Sequence, residues 1–422
     1  GYNPAHLFAV ESSYGGPNGF KQFVRSAHQH GIGVILDVVY NHFGPSDLNL
    51  WQFDGWSENG LGGIYFYNDW RSETPWGNTR PDYGRGEVRQ YIRDNALMWL
   101  EEYHVDGLRM DMTLYMRNVY PGLDLPEGWS LAQWLNLEIS ARYPGRITIA
   151  EDLQHNEWLT KAVEWGGAGY GAQWDSNFVH PIRASVIAAD DRSRSMFAVR
   201  DALCYSYNGD PFQRVVYSES HDEVANGKAR VPSEIDPTDP HDYYAQKRSS
   251  LAAGLVCTAP GIPMLFEGQE FLEGGWFRDD VPIDWHLNEE FQGIVRLYRD
   301  LIGLRLNRGG DSRGLCGRNI NVYHLNDPQD LLAFHRWDKG GPGDDVIVLV
   351  NLSAEAKDGY TVGFPREGRW NLRLNSAWRG YSTAFSDHPS SDTEAFPGWY
   401  DGLPYHALVN IAPYSILIYC QV

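Results

Sequence analysis

The sequence predicts an α/β fold, a barrel of parallel strands, followed by an antiparallel all-β domain. Three observations carry this. From residue 17 to about 307, short apolar runs alternate with segments of helical period, the rhythm of a parallel sheet with right-handed crossovers. After about residue 310 the helices stop, and β-prone runs follow one another across Gly, Pro and Asp turns. Finally, the runs Val105–Asp111, Ile147–Asp152 and Val215–Asp222 each end in a carboxylate. An acid at the C-terminal end of a buried parallel strand points into the barrel mouth, where such folds place their chemistry.

Taken in order, residues 17–30 read as a helix. Pro17 lies near its start, Phe20, Phe23, Val24 and Ala27 recur at helical spacing, and Gly31 lies beyond its end. Residues 31–40 read as a buried strand. Residues 43–85 are rich in Gly, Asn, Asp, Pro and aromatic rings without a sustained period, so they form an irregular but ordered excursion. A helix over 87–104 carries Val88, Tyr91, Ile92, Ala96, Trp99 and Leu100 on one stripe.

Then follow the Asp111 strand, a helix near 129–143, the Glu151 strand, a helix near 156–166, a short strand near 171–175 and a helix from Val179. The Asp222 strand, a helix over 241–257, a strand over 262–266 and a helix over 289–307 complete the series. Six later runs, at 319–325, 331–336, 345–351, 360–364, 370–374 and 414–419, read as strands of a sandwich.

The totals bound the function. A chain of 422 residues exceeds one ordinary core, and its 42% hydrophobic content is globular. A net charge of −20 argues against nucleic acid or an anionic membrane as partner. Sixteen Trp and 25 Tyr suit a carbohydrate ligand, whose apolar ring faces stack on flat side chains, though core packing claims most of them. Four widely spaced cysteines, Cys204, Cys257, Cys316 and Cys420, make neither a metal pattern nor a disulfide framework. No apolar run reaches 18 residues, so no membrane-spanning helix is expected.

The acidic tips carry the chemistry. Arg109 stands two residues before Asp111, so both side chains share one strand face, and the guanidinium can hold Asp111 ionised as a nucleophile. Glu151 ends an apolar strand, and a carboxyl in a partly apolar mouth suits a general acid. His221–Asp222 offers a donor and an acceptor side by side for neighbouring sugar hydroxyls. Alone, each of these is as readily a turn or capping residue.

Together, Asp37–His42, Gly107–Asp111, Ala150–Asp152 and Ser220–Asp222 resemble, in order and in placement at strand ends, the four signature segments of the α-amylase family of glycoside hydrolases. The resemblance implies a (β/α)8 TIM barrel and a retaining double displacement. It implies that Asp111 is the nucleophile, Glu151 the acid and base, and Asp222 the group that grips and distorts the sugar. Arg109 would orient Asp111, His42 and His221 would hydrogen-bond the sugar, Tyr2 would stack on it, and Asp37 would support the site.

It also divides the chain into barrel residues 1–42 and 86–310, a short domain B at 43–85, and a C-terminal all-β domain at 311–422. The first strand, first helix and second strand of such a barrel have no counterpart, so we expect this chain to be part of a longer polypeptide. An N-terminal β-sandwich, common in branching and debranching relatives, is one candidate for the remainder.

Within the family, Ser218–Glu223, Pro263–Phe271, Glu101–Gly107 and Asp284–Trp285 are similar to glucan branching enzymes, which form α-1,6 branches by transglycosylation. Thr74–Gly77 and Ile149–Asp152 are similar to maltooligosyltrehalose hydrolases, and a simple α-amylase is a third reading. A non-catalytic glucan-binding relative would lack the nucleophile or the acid, and both are present. Trp51, Trp56, Trp76 and Trp276 are candidate stacking platforms. Asn41 matches a calcium ligand of many α-amylases, but the short domain B lacks the rest of the set, so no metal and no other cofactor is expected. The partner expected is an α-glucan, and the compartment the cytoplasm.

Overall fold

The computed structural model describes residues 2–44 and 50–421. Gly1 and residues 45–49 of the excursion lie outside them. The chain divides into two compact units, Gly1–Trp174 and Asp175–Val422.

In the first unit, helix α1 (Gly16–Gln29) leads to strand β1 (Ile35–Val38), and α2 (Gly86–Glu101) to β2 (Gly107–Met110). A single-turn helix α3 (Leu114–Arg117) and a small hairpin, β3 (Asn118–Tyr120) and β4 (Leu123–Asp124), follow. Helix α4 (Pro126–Arg142), β5 (Ile147–Ala150) and β6 (Ala172–Trp174) complete the unit. The strands pair in parallel in the order β1–β2–β5–β6, with Asp37 opposite Arg109 and Met110 opposite Ala150.

Leu108 and Met110 of β2 are fully buried against Leu97 and Leu100 of α2 and Leu131 and Leu135 of α4. Close approach fixes one residue on this sheet. A Cβ on Gly107 would lie 2.5 Å from the Ile147 carbonyl oxygen, so β2 pairs closely with β5 only as glycine.

Two expectations need correction here. The run 31–40 is not a fully buried strand: Ile32 is 59% and Ile35 48% exposed, because β1 pairs only with β2 among the described residues of this unit. The helix expected near 156–166 is replaced by two 3₁₀ turns, Glu157–Leu159 and Val163–Trp165. The Asn156 side chain caps the first by accepting from the Trp158 N–H, and Gly166, at φ 90°, ends the second. In α1, Phe20 and Val24 turn inward while Phe23 is exposed.

The second unit begins with α5 (Ser176–Ile187) and α6 (Met196–Cys204), then β7 (Arg214–Val216), α7 (Val231–Ile235), α8 (Tyr243–Thr258) and β8 (Ile262–Pro263). Helices α9 (His286–Glu290) and α10 (Gln292–Arg305) replace the single helix expected over 289–307. β7 and β8 pair in parallel. Asp175 caps α5 by accepting from the Asn177 N–H, which starts the helix three residues before Val179.

Strand β7 ends at Val216, so Asp222 sits six residues beyond it rather than at its tip. The intervening backbone is anchored by Glu219, which accepts from the Val231 N–H at 2.5 Å.

Eight antiparallel strands close this unit: β9 (Asn319–Asn326), β10 (Leu331–Trp337), β11 (Val346–Asn351), β12 (Lys357–Phe364), β13 (Gly368–Asn375), β14 (Thr393–Tyr400), β15 (Leu403–Ile411) and β16 (Ser415–Cys420). They form one sheet in the order β12–β15–β14–β13–β16–β11–β10–β9. It rolls over on itself: Val362, Ala407 and Val409 pack with Ala333, Leu349 and Leu417, and His324 of β9 lies 2.8 Å from the Tyr360 hydroxyl of β12. The other face shares a core with the helices, where Leu251, Leu255 and Leu297 meet Phe334, Val348 and Ile418.

Sequence reading missed β14 and β15 because Pro397, Gly398 and Pro404 interrupt them. The signal was present in Asp401–Gly402, both at positive φ, a two-residue hairpin turn of the Asp-Gly type.

One buried cation in α8 gives a measurable consequence. Lys247 is 1% exposed, with Nζ 4.9 Å from the Phe385 ring centre. Burial lowers its ammonium from the ordinary 10.5 to about 7. Between those values the unfolded chain holds a proton that the folded chain has released, so this group makes stability rise with pH across that window. The burial penalty is complete below about 7 and absent above 10.5. Lys247→Met should therefore raise the thermal midpoint by roughly 5 °C near pH 6 and by clearly less near pH 10. Equal shifts at both, measured by calorimetry, would rule this out.

Candidate active site

Residues from four strand ends of the first unit meet around one guanidinium. Arg109 of β2 is only 5% exposed. Its Nη1 donates to Asp37 Oδ1 at 2.7 Å and Oδ2 at 2.9 Å, and to Asp111 Oδ1 at 2.9 Å. Its Nη2 lies 3.1 Å from Glu151 Oε2. The register explains the meeting, since Arg109 faces Asp37 across one ladder and Ile149, two residues before Glu151, across the other. Burial disfavours the Arg109 cation, but Glu151, Asp37 and Asp111 more than offset this and hold it firmly protonated. The Trp174 ring lies 4.4 Å from the guanidinium carbon and the Tyr2 ring 5.7 Å, so aromatic faces pack near the same cation.

Asp111 follows β2 directly and is nearly buried. Asn41 Nδ2 donates to its Oδ2 and to its backbone oxygen, both at 2.9 Å. The nucleophile candidate is thus held from two sides, by a cation and by an amide. Asn41 is spent on this contact and on His42, a role that its resemblance to a calcium ligand did not indicate. Among the described residues, no group of three or more His, Cys, Asp or Glu side chains is arranged to hold a metal ion.

Glu151 is 1% exposed. The sequence predicts a partly apolar setting for it; the structure instead sets polar donors against it. Met112 N–H donates to Oε2 at 2.7 Å, alongside Arg109. Met112 has φ 38°, a strained value for a side-chain-bearing residue, held because its neighbours fix it from both sides. Thr113 donates its N–H and its hydroxyl to the Glu151 carbonyl, and Arg117 clamps the following Asp152 with two bonds of 2.8 Å.

His42 is buried, and desolvation lowers its pKa to about 4, so the ring is neutral at pH 7. Asn41 has its NH2 on Asp111, so its oxygen accepts from His42 Nδ1–H at 2.6 Å. Nε2 is then an acceptor, which turns the amide of Asn3, 3.0 Å away, with its NH2 toward the ring. Trp76 stacks on the His42 ring at 4.5 Å, so one face of that predicted platform is already occupied. Tyr2 donates its hydroxyl to Asp37 at 2.5 Å, and burial together with Asp37 raises its pKa far above the ordinary range.

Asp37, Arg109, Asp111, Glu151, Tyr2 and His42 are therefore brought together. His221 and Asp222 belong to the second unit. There, His221 Nε2 lies 3.4 Å from Asp222 Oδ2, and the Asp222 side chain is half-exposed. Of the other predicted platforms, Trp51 packs into the first unit's core at 5.7 Å from Phe66, Trp56 carries Arg85 on its ring, and Trp276 is 57% exposed beside Arg278. Sequence reading missed Trp174, the Met112 N–H and Asn3, which no spacing pattern marks.

Comparison with known proteins places this geometry. Residues 323–421 match the α-amylase C-terminal all-beta domain. The chain is 31% identical over 417 residues to the 1,4-alpha-glucan branching enzyme GlgB of Rhodospirillum rubrum, covering 93% of this chain and 54% of that protein. It is 33% identical over 403 residues to GlgB of Paramagnetospirillum magneticum, covering 90% and 52%. To GlgB of Oceanobacillus iheyensis it is 29% identical over 450 residues, covering 99% and 67%. The chain spans about half the length of most of these relatives.

Among solved structures, a pullulanase from Anoxybacillus sp. LM18-11 complexed with maltotetraose superposes with a TM-score of 0.70 at 21% identity, covering all of this chain and 60% of that one. Pullulanase type I of Bacillus subtilis str. 168, complexed with maltose, does so equally, at 59% of its length. They share the fold, a parallel βα barrel domain followed by an antiparallel β domain. Signature segments, fold and sequence relatives agree: the chain belongs to the α-amylase family of glycoside hydrolases, with glucan branching enzymes among its relatives.

Proposed function

We propose that the chain carries the catalytic machinery of a 1,4-α-glucan branching enzyme. The observation that supports this most is that relatives bearing that one name align over nine-tenths or more of the chain. In this reading Asp111 attacks the anomeric carbon of an α-1,4-linked glucan, and Glu151 gives its proton to the departing oxygen. The resulting glycosyl ester on Asp111 is opened by a glucan 6-hydroxyl, whose proton passes to Glu151, so the anomeric configuration is retained.

Asp222 and His221 grip the sugar in the transition state. His42 hydrogen-bonds a sugar hydroxyl through Nε2 in exchange for its contact with Asn3, Tyr2 stacks on the ring, and Asp37 and Arg109 hold Asp111 in place. Both carboxylates share Arg109, which supports the close spacing of about 5–5.5 Å that a retaining enzyme needs. We retain the boundaries 1–42, 43–85, 86–310 and 311–422 for the barrel, domain B and C-terminal domain. The partner is an α-glucan. No helix among the described residues is long and apolar enough to cross a membrane, and four free cysteines fit the reducing cytoplasm.

Amylose treated with the intact protein should lose its iodine colour with few new reducing ends, and gain α-1,6 anomeric signals by proton NMR. Reducing ends that rise in step with colour loss, without those signals, would instead establish a hydrolase.

A further inference from the structure

Beyond the residues around Arg109, the first unit holds a pocket of about 420 Å³ lined by Arg117, Asp124, Trp129, Gln133, Asn156 and Trp158. Its volume lies in the range of small-molecule sites. Its walls come from the segments after the two catalytic strands. Arg117 and Asp124 follow Asp111, Asn156 and Trp158 follow Glu151, and α4 supplies Trp129 and Gln133.

Two indoles and a set of amide and charged side chains make a surface suited to a sugar: flat faces for its apolar ring side and polar groups for its hydroxyls. The walls are held in place before any ligand arrives. Trp129 Nε1 donates to the Gly166 oxygen at 3.2 Å and Gln133 Nε2 to the Gly167 oxygen at 2.9 Å. Asn156 Oδ1 accepts from the Trp158 N–H at 3.0 Å. Trp158 is 43% exposed, with Lys161 Nζ 4.0 Å from its ring centre. Such preorganisation lowers the entropy cost of binding.

The pocket is tied to the chemistry by one clamp. Arg117 lines it and at the same time grips Asp152, the neighbour of Glu151, while Thr113 bonds both Glu151 and Asp152. It therefore adjoins the segment that carries Glu151. In a retaining reaction the group leaves, and the acceptor enters, past the same acid–base carboxyl.

Resting on the function proposed above, we infer that this Trp129–Trp158 pocket is the binding site for a segment of the acceptor α-glucan chain. By holding the acceptor, it favours a sugar hydroxyl over water at the glycosyl ester. Trp158 and Trp129 are then positioning residues for transfer.

The test uses the intact protein labelled with 5-fluorotryptophan and carrying Asp111→Asn, titrated with maltoheptaose and read by fluorine NMR. The Trp158 resonance, assigned through Trp158→Phe, should move saturably. In the active enzyme, Trp158→Ala should raise the KM for acceptor chains about tenfold with a smaller change in kcat, and Trp158→Phe should restore most of it. No movement of the Trp158 signal at concentrations that move other tryptophan signals would overturn the site, as would an unchanged acceptor KM. Because binding is read without turnover, the two failures separate. A protein that forms no branches yet shifts Trp158 has a glucan site here but no acceptor role for it, whereas a branching enzyme with a silent Trp158 has the activity without this pocket.

Discussion

Asp111→Asn is expected to leave a folded protein that turns over glucan more slowly by a factor on the order of 10⁴ or more. The substitution keeps the side-chain volume and one acceptor for Arg109. It places an NH2 among the donors of Arg109 and Asn41, so a loss of about 1–3 kcal/mol in stability should accompany it. Iodine staining and reducing-end assays on amylose, with thermal unfolding on the same preparation, measure both.

The nucleophile's role has a chemical signature as well. Asp111→Gly supplied with azide and an α-maltosyl fluoride should release fluoride and form the β-glycosyl azide, because azide enters from the face that the carboxylate vacated. Near-normal turnover by Asp111→Asn, or no azide adduct where fluoride is released, would remove Asp111 from this role.

Arg109→Leu should be the most damaging single change to the site. It withdraws the cation from three carboxylates at once, and two of them, Asp111 and Glu151, are 7% and 1% exposed. Breaking a buried ion pair on one side costs about 3–5 kcal/mol, because the partner is left charged and unpaired. The variant should therefore unfold at markedly lower temperature and show no measurable turnover. Arg109→Lys should fall between, since one ammonium lacks the fork that reaches Asp37, Asp111 and Glu151 together. Wild-type stability of Arg109→Leu by chemical denaturation would mean that the guanidinium does not hold these carboxylates as described.

Much of this protein was legible along the chain. Apolar periodicity placed α1, α2, α4 and α8 within a few residues, since buried faces recur at fixed spacing wherever the elements pack. The order of the acidic segments placed Asp37, Arg109, Asp111 and Glu151, because a strand of period two that ends in acid fixes which face the acid shares with its neighbours.

Other features depended on contacts between distant segments. Pro and Gly concealed β14 and β15, and glycine-rich turns replaced the helix expected near 156–166. Asp222 lies in a loop, not at a strand tip: β7 ends at Val216, and the Glu219 carboxylate, accepting from the Val231 N–H, ties the chain beyond it to a distant segment. The setting of Glu151 is polar and not apolar because Arg109, 42 residues earlier, and the strained Met112 N–H reach it in space. The sequence by itself determined which segments carry the candidate acid, base and nucleophile, and which strands Asp111 and Glu151 follow. Only the tertiary structure decided that one guanidinium is shared among Asp37, Asp111 and Glu151, and that Arg117, which lines a tryptophan pocket, also grips the neighbour of Glu151. Charge sharing and pocket walls are set by distances between strand ends and loops, which local sequence does not encode.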